Sequence, residues 1–365
     1  MIYWLLILLS FSGLFLYLAM LWRAIPESLI TTRDIPISIV VPIRNELVHL
    51  EKLLNSIAKQ QYELDKIELI LVDDHSDDGS YELALDLAKK HSFSIQVVRQ
   101  NAKSSGKKAA ATLGVSLAVN DFILCTDSDC VFNQDWIASM VGPLAKRDLM
   151  MVSGPVRMDE LDTFQQLQQL EFSGLIAFGG LTLSNNYASM CNGANMAYRK
   201  KAFEAVKGYQ GNDHIPSGDD EFLLQKISNA YPGRVAFIKA QGAIVSTRAK
   251  GTFGELWNQR LRWAGKWRFH RSGFINLLVL MSAVLFSLLL IAPVILFINS
   301  WKFGLAGMLL LFIGEFYFFW QIMRFLGNGS NWRVYVGLSL IYPIYALILG
   351  VASTFGSYSW KGRNY

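Results

Sequence analysis

Residues 2–22, IYWLLILLSFSGLFLYLAMLW, carry no charged side chain. A helix of this length rises about 30 Å, the depth of a bilayer's hydrocarbon core. In that layer every backbone N–H and C=O must find a partner, and a single segment can meet that demand only as a helix. Three more apolar segments follow residue 274: INLLVLMSAVLFSLLLIAPVILFI, FGLAGMLLLFIGEFYFFWQIM and VYVGLSLIYPIYALILGVASTF. The middle one holds Glu315, which is costly in lipid and is expected to face neighbouring helices or an interface. The apolar residues, 52% of 365, are thus concentrated at the two ends. Between them lie about 240 residues of ordinary globular composition, enough for one sizeable domain.

No positive charge precedes the first segment, it exceeds the core of a secretory signal, and no small-residue cleavage site follows. It reads as an uncleaved anchor. Arg23 and Arg33 after it, and RLRWAGKWRFHR (260–271) before the second segment, predict that the domain between them lies on the cytoplasmic side of the cell (inner) membrane. The expected organisation is an N-terminal transmembrane helix (1–24), a globular domain (33–246) and an amphipathic interface region (247–272). About three C-terminal transmembrane helices (273–357) and a tail (358–365) complete it. Cys125, Cys130 and Cys191 are few, odd in number and not spaced as a zinc site, so they read as core thiols in a reducing compartment. The net charge of +5 suits attraction to a membrane surface. No nucleic-acid motif or basic and aromatic patch accompanies it, so no nucleic-acid partner is expected.

In the globular part ISIVVPI (37–43), IELILVDD (67–74), IQVVRQ (95–100) and DFILCTDSD (121–129) read as strands. Residues 46–60, 80–91 and 107–119 read as helices. Strands apolar on both faces and alternating with helices predict an α/β domain with a mainly parallel, Rossmann-like sheet. Ligands on such sheets bind outside the carboxyl ends of the strands. Those ends carry Arg44, Asn45 and Glu46, then Asp73 and Asp74, then Asp127 and Asp129. In an extended chain Asp127 and Asp129 share a face, where like charges favour a cation beside them. An isolated Asp-x-Asp also reads as a solvated strand end or a helix cap. The acid-rich rim suggests a phosphate-bearing ligand held through a divalent cation. VPIRNE lacks the glycines of a dinucleotide fold, and SSGKKAA lacks the earlier glycine of a P-loop. Lys107 or Lys108, opening a helix, meets a phosphate or is simply solvated.

Seven motifs occur in order: VPIRNE, VDDHSDDGS, GKKAAATLGV, TDSDC, NGANMAYRKKAF, SGDDEFLLQKI and QRLRW. The series resembles that of family 2 glycosyltransferases, membrane-integrated inverting enzymes of the GT-A fold, over roughly residues 35–270 and on into the flanking membrane helices. The resemblance implies transfer of a sugar from a nucleotide-sugar donor, a UDP-sugar, to a lipid or glycan acceptor at the cytoplasmic membrane face. It implies Mg²⁺ or Mn²⁺ held by Asp129, the direct ligand, and Asp127, which also serves as a sugar or ribose contact. Pro42, Arg44, Glu46, Asp74, Lys107, Gln259, Arg262 and Trp263 would complete the donor side, with Asp74 on the base. Asp220 would be the catalytic base, and Glu221 a weaker candidate. Asn192, Gly193, Asn195 and Asp219 would shape the acceptor side; Asp219 stands where relatives often carry Glu.

Each motif has a plainer reading too. Ser-Gly-Asp-Asp is a common helix N-cap, and the QRLRW region, with Trp257, Trp263 and Trp267 among cations, makes a membrane-surface helix. His75, His214 and His270 show no ligand spacing. The terminal SWKGRNY resembles a tail that lies on the catalytic side in several lipid glycosyltransferases. Three full crossings would put it on the other side, so either the Glu315 segment re-enters or the tail is not part of the site. A processive polysaccharide synthase subunit and a nucleotidyl- or sugar-phosphate transferase are the alternative functions.

Overall fold

The run ISIVVPI forms strand β1 (Ile37–Ile43), buried throughout except for half-buried Pro42. The computed structural model describes residues 2–102, 105–159, 162–213, 215, 217–265, 273–329, 331–355, 359–360 and 363–364. His214, His270 and Trp267 lie outside the described residues, as do 266–272 of the interface region and 358, 361–362 and 365 of the tail. The chain divides into two units, one of Met1–Ala24, Glu160–Gly174 and Ala249–Tyr365, the other of Ile25–Asp159 and Leu175–Arg248.

The second unit holds the α/β fold. In chain order its strands are β1, β2 (Ile67–Asp73), β3 (Ser94–Arg99), β4 (Phe122–Cys125), β5 (Val131–Phe132), β6 (Met151–Ser153), β7 (Val156–Asp159), β8 (Met196–Arg199), β9 (Val235–Phe237) and β10 (Val245–Arg248). A seven-stranded sheet runs β3-β2-β1-β4-β8-β6-β9, and a three-stranded sheet runs β5-β10-β7. β3, β2, β1 and β4 are parallel, whereas β8 runs antiparallel to β4 and β6. That reversal brings the chain entering β8 beside the carboxyl end of β4, with Cys125 opposite Met196.

Helices α2 (Leu50–Ala58), α3 (Ser80–Ala88) and α4 (Lys107–Leu117) lie between the first four strands. α2 buries Leu50, Leu53, Leu54 and Ile57, the i, i+3, i+4, i+7 face of a core-facing helix. α4 lies so close to the sheet that a Cβ on Gly114 would stand 2.4 Å from Val40 Cγ1 and 3.2 Å from Val72 Cγ2. Valine is stiff at χ1 and cannot swing aside. Gly114→Ala is therefore expected to destabilise this unit by about 1–2 kcal/mol, overpacking outweighing the helix propensity of alanine. Thermal unfolding of the purified chain measures it, and an unchanged or raised midpoint would contradict such close packing. Helices α5 (Trp136–Lys146), α6 (Thr163–Ser184), α7 (Lys200–Ala205) and α8 (Asp219–Ala230) follow, the residues of α6 up to Gly174 being counted with the first unit.

In the first unit stand α1 (Ile2–Ala24), α9 (Phe253–Ala264), α10 (Gly273–Asn299), α11 (Trp301–Phe325) and α12 (Trp332–Phe355). Among the described residues, four helices are long and apolar enough to cross a membrane: Ile2–Ala24, Leu280–Asn299, Trp301–Phe325 and Trp332–Thr354. α1, α10 and α11 share a core of Leu8, Phe11, Leu289, Ala292, Leu296 and Leu311. Small residues let the backbones approach: a Cβ on Gly314 would meet Ser12 Cα at 2.7 Å. Glu315 accepts a hydrogen bond from Ser339 of α12, so the carboxylate does turn toward a neighbouring helix. α9 starts in a capping box, Thr252 Oγ1 accepting from Glu255 N–H while Glu255 accepts from Thr252 N–H.

Candidate active site

At the carboxyl ends of β1, β2 and β3 the loops are tied to one another by backbone and carboxylate groups. Asp73 is fully buried and accepts from Arg99 Nε at 2.9 Å. Asp74, 2% exposed, accepts on Oδ1 from Gly106 N–H at 2.9 Å and Gln100 Nε2 at 3.1 Å. Arg44 Nη1 donates to the Asp74 carbonyl at 2.6 Å and lies 3.9 Å from its Oδ2. Gly106 has φ +100 and ψ 157, a conformation essentially confined to glycine, and this turns its N–H onto Asp74. Asn45 (φ 53) and His75 (φ 60) adopt left-handed backbone at the ends of β1 and β2. Asn45 N–H donates to Ser76 Oγ, and its Oδ1 accepts from Asp77 N–H. Asp78 staples the next turn, accepting from Ser80 and from Leu47 N–H. Glu46, 5% exposed, pairs with His49 Nδ1 at 2.7 Å, and its own N–H donates to Ser80 Oγ.

β4 stops at Cys125, earlier than its sequence suggests. Residues 128–129 form a turn, closed by Cys130 N–H to the Asp127 carbonyl at 3.3 Å. Asp127 and Asp129 therefore sit on a turn, and strand alternation does not set their directions. The reason is β8, whose approach ties Thr126 Oγ1 to the Ala194 carbonyl at 2.8 Å and bends the chain away. Of the two lysines opening α4, Lys108 is buried and donates to the Asn212 carbonyl at 2.7 Å, beneath the Phe222 ring. Lys107 turns to the rim. Its Nζ lies 2.7 Å from Asp127 Oδ1 and 3.0 Å from Asp219 Oδ2.

α8 begins after Gly218, which has φ +78, and carries Asp219, Asp220 and Glu221 in its first turn, where the helix dipole favours negative charge. Asp220 Oδ2 accepts from Gly193 N–H at 3.0 Å, and Oδ1 from Glu221 N–H at 2.8 Å. A Cβ on Gly193 would stand 3.3 Å from both Asp219 Oδ2 and Lys107 Nζ. Lys107, Asp127, Asp219, Asp220 and Gly193 thus converge. Burial lowers the Lys107 pKa, but Asp127 and Asp219 outweigh it and hold the ammonium well above its ordinary value. Burial likewise raises Asp219, yet Lys107 and then Lys108 bring it below the usual carboxylate range.

These directions fix a pH window. Asp219's depressed pKa contributes stability above its unfolded value near 3.8, lost as pH falls through the folded one. Lys107's raised pKa contributes below 10.5, lost as pH rises through its folded value. Without divalent cations, the stability advantage of wild type over Lys107→Met should shrink as pH falls, because the variant leaves Asp219 buried without its ammonium and readier to take up a proton, and shrink again as pH rises through the folded Lys107 value. Thermal melts across pH test this, and a difference that stays constant from neutral pH down to about pH 3 would count against the pairing.

Asn195 has a different place from the acceptor pocket expected of it. It is fully buried, its Nδ2 donates to the Pro155 and Ala243 carbonyls, and its Oδ1 accepts from Trp136 Nε1. With all three bonds internal, the side chain acts as a peg beneath β8. Asn192 turns back on its own loop, Oδ1 accepting from Ala194 N–H. Gln259, Arg262 and Trp263 belong to α9 in the other unit. There Arg260 forms a bidentate pair with Glu171, Nε to Oε1 at 3.1 Å and Nη2 to Oε2 at 2.7 Å, donates from Nη1 to Gln259 Oε1 at 2.6 Å and lies over the Trp263 ring. Sequence reading missed Gln100 and Gly106 beside Asp74. Gln100 follows β3, and the same carboxyl-end rule would have found it.

Asp127 and Asp129, both half-buried on the turn after β4, are the two hard carboxylates this rim offers a cation. Such oxygens suit Mg²⁺ or Mn²⁺ completed by substrate oxygens. Among the described residues no group of three or more His, Cys, Asp or Glu is placed to hold a metal unaided.

Residues 38–207 match the family described as Glycosyl transferase family 2. Glycosyltransferase AglE of Haloferax volcanii is 22% identical over 203 residues, 53% of this chain and 62% of that protein. A poly-beta-1,6-N-acetyl-D-glucosamine synthase of Staphylococcus epidermidis is 26% identical over 233 residues, 62% of this chain and 53% of that protein. The match therefore spans about half to three fifths of the length of these curated relatives. Mannosyltransferase PcManGT from Pyrobaculum calidifontis, solved in complex with GDP-Man and Mn2+, aligns over 96% of both chains with TM-score 0.57 and 17% identity, a likeness of fold.

Proposed function

We propose, for a chain that carries a glycosyl transferase family 2 domain at residues 38–207, that it transfers a sugar, with inversion, from a nucleotide-diphosphate sugar to a lipid or lipid-linked acceptor at the cytoplasmic face of the cell membrane. The observation that carries this reading is the convergence of Lys107, Asp127, Asp219 and Asp220 at the rim of the sheet. Asp219 and Asp220 lie beyond the residues matched to the family, so their roles rest on that geometry.

Asp220 is the base. Two backbone N–H groups orient its carboxylate, which takes the acceptor's hydroxyl proton. The acceptor oxygen bonds to the anomeric carbon, the bond from that carbon to the phosphate oxygen breaks, and the proton passes to Asp220. Asp74 and Arg44 bind the nucleoside, a uridine in this reading, and Lys107 meets the diphosphate. Asp127 and Asp129 would hold Mg²⁺ or Mn²⁺, and the ion would supply positive charge to offset that of the leaving nucleoside diphosphate. Gln259, Arg262 and Trp263 serve the donor through the QRLRW motif, and the four apolar helices supply the membrane setting.

The similarity to poly-beta-1,6-N-acetyl-D-glucosamine synthases supports a second reading, extension of a polymer. Membranes bearing the chain, incubated with a panel of labelled nucleotide sugars, distinguish the two. A lipid extract with a single added sugar by mass spectrometry is the expected result. Label in a high-mass insoluble polymer selects the second reading, and label transferred from no nucleotide sugar overturns both.

A further inference from the structure

Lys107 ties together two carboxylates from separate elements, Asp127 of the turn after β4 and Asp219 of the first turn of α8. The Asp127 side chain is 40% exposed and that of Asp219 only 14%, so Asp127 is the partner an incoming ion reaches. An ammonium 2.7 Å from Asp127 Oδ1 occupies one lone-pair direction of that oxygen. It also sets a positive charge in contact with a carboxylate assigned to a divalent cation, and the two cations repel. A diphosphate offers the ammonium another anionic partner, through equally strong charge-assisted hydrogen bonds.

Resting on the donor-site reading above, we propose that Lys107 is an internal counter-ion that occupies Asp127 in the donor-free chain. When a nucleoside diphosphate arrives, the ammonium transfers to its phosphates, stays anchored by Asp219, and releases Asp127 to the divalent ion. Nucleotide and metal then bind with positive coupling, and a donor-free chain holds metal weakly. The coupling is a property of one side chain with two alternative partners and needs no movement of the fold.

Mn²⁺ binding to the full-length chain in detergent tests this, read from the EPR signal of free Mn²⁺ with and without UDP or GDP. The solution complexes of Mn²⁺ with each nucleotide are subtracted. Without nucleotide, Lys107→Met is expected to bind Mn²⁺ about tenfold more tightly than wild type, within the usual range of coupling between sites. Lys107→Arg, which keeps the charge, should bind as weakly as wild type. Nucleotide should tighten Mn²⁺ binding more in wild type than in Lys107→Met. Should Lys107→Met fail to fold, Asp219→Asn reads the same competition. Its ammonium rests on Asp127 alone, and nucleotide-free Mn²⁺ affinity should fall at least about threefold. Equal nucleotide-free affinities in folded wild type and Lys107→Met, or a rise in Asp219→Asn, would overturn the exchange while leaving the donor-site reading intact. Absence of Mn²⁺ binding by wild type even with UDP or GDP would overturn both.

Discussion

Asp220→Asn is expected to lower turnover about 10²–10⁴-fold, the usual range for a positioned base, with nucleoside-diphosphate affinity close to wild type. Asparagine keeps the size of the side chain but accepts no proton at neutral pH. The loss corresponds to about 3–5 kcal/mol of an interaction made only in the transition state. The neighbouring carboxylate provides the control. Asp219 lies 3.0 Å from the Lys107 ammonium, which with Lys108 holds its pKa below the ordinary range. A carboxylate so stabilised in its charged form is a weak base, and Asp219→Asn should be the milder variant. Turnover and UDP affinity, measured for both, separate the roles. A dead Asp219→Asn beside a nearly normal Asp220→Asn would move the base by one residue. Loss of nucleotide affinity in both would assign this helix start to the donor.

Asp129→Asn should reduce transfer by about 10³-fold or more, since charge neutralisation at a leaving phosphate supplies several kcal/mol. EDTA should do the same to wild type, with added Mn²⁺ or Mg²⁺ restoring wild type and leaving the variant inactive. Asp129 stands half-buried on a turn after a short strand, so the substitution removes a charge with little effect on the core. Far-UV circular dichroism and thermal unfolding should match wild type. Full transfer in EDTA would remove the Asp127–Asp129 assignment.

Local pattern carried most of the fold into view. The apolar stretches at both ends fall on helices, and ISIVVPI coincides with β1. Apolar runs and helical spacing depend on residues near in sequence, and neither needs knowledge of what lies across the core. The rim of the sheet followed too, because the order of strands and helices implies parallel pairing and parallel pairing implies where the carboxyl ends gather. The seven motifs added the chemistry expected at that rim.

Tertiary structure decided what each rim residue is bound to. Asp-x-Asp read as strand, yet β8 arrives antiparallel from about 70 residues away in the chain and ends β4 at Cys125. Lys107 and Lys108 are alike in sequence. The fold turns one toward Asp127 and Asp219 and buries the other against Asn212. Asn195 and Gly193 share a motif, but one is a peg under Trp136 and the other gives its N–H to Asp220. A residue's type and local spacing limit which bonds it is able to make. Which of them it makes depends on partners brought from distant segments, and those contacts exist only once the chain has closed.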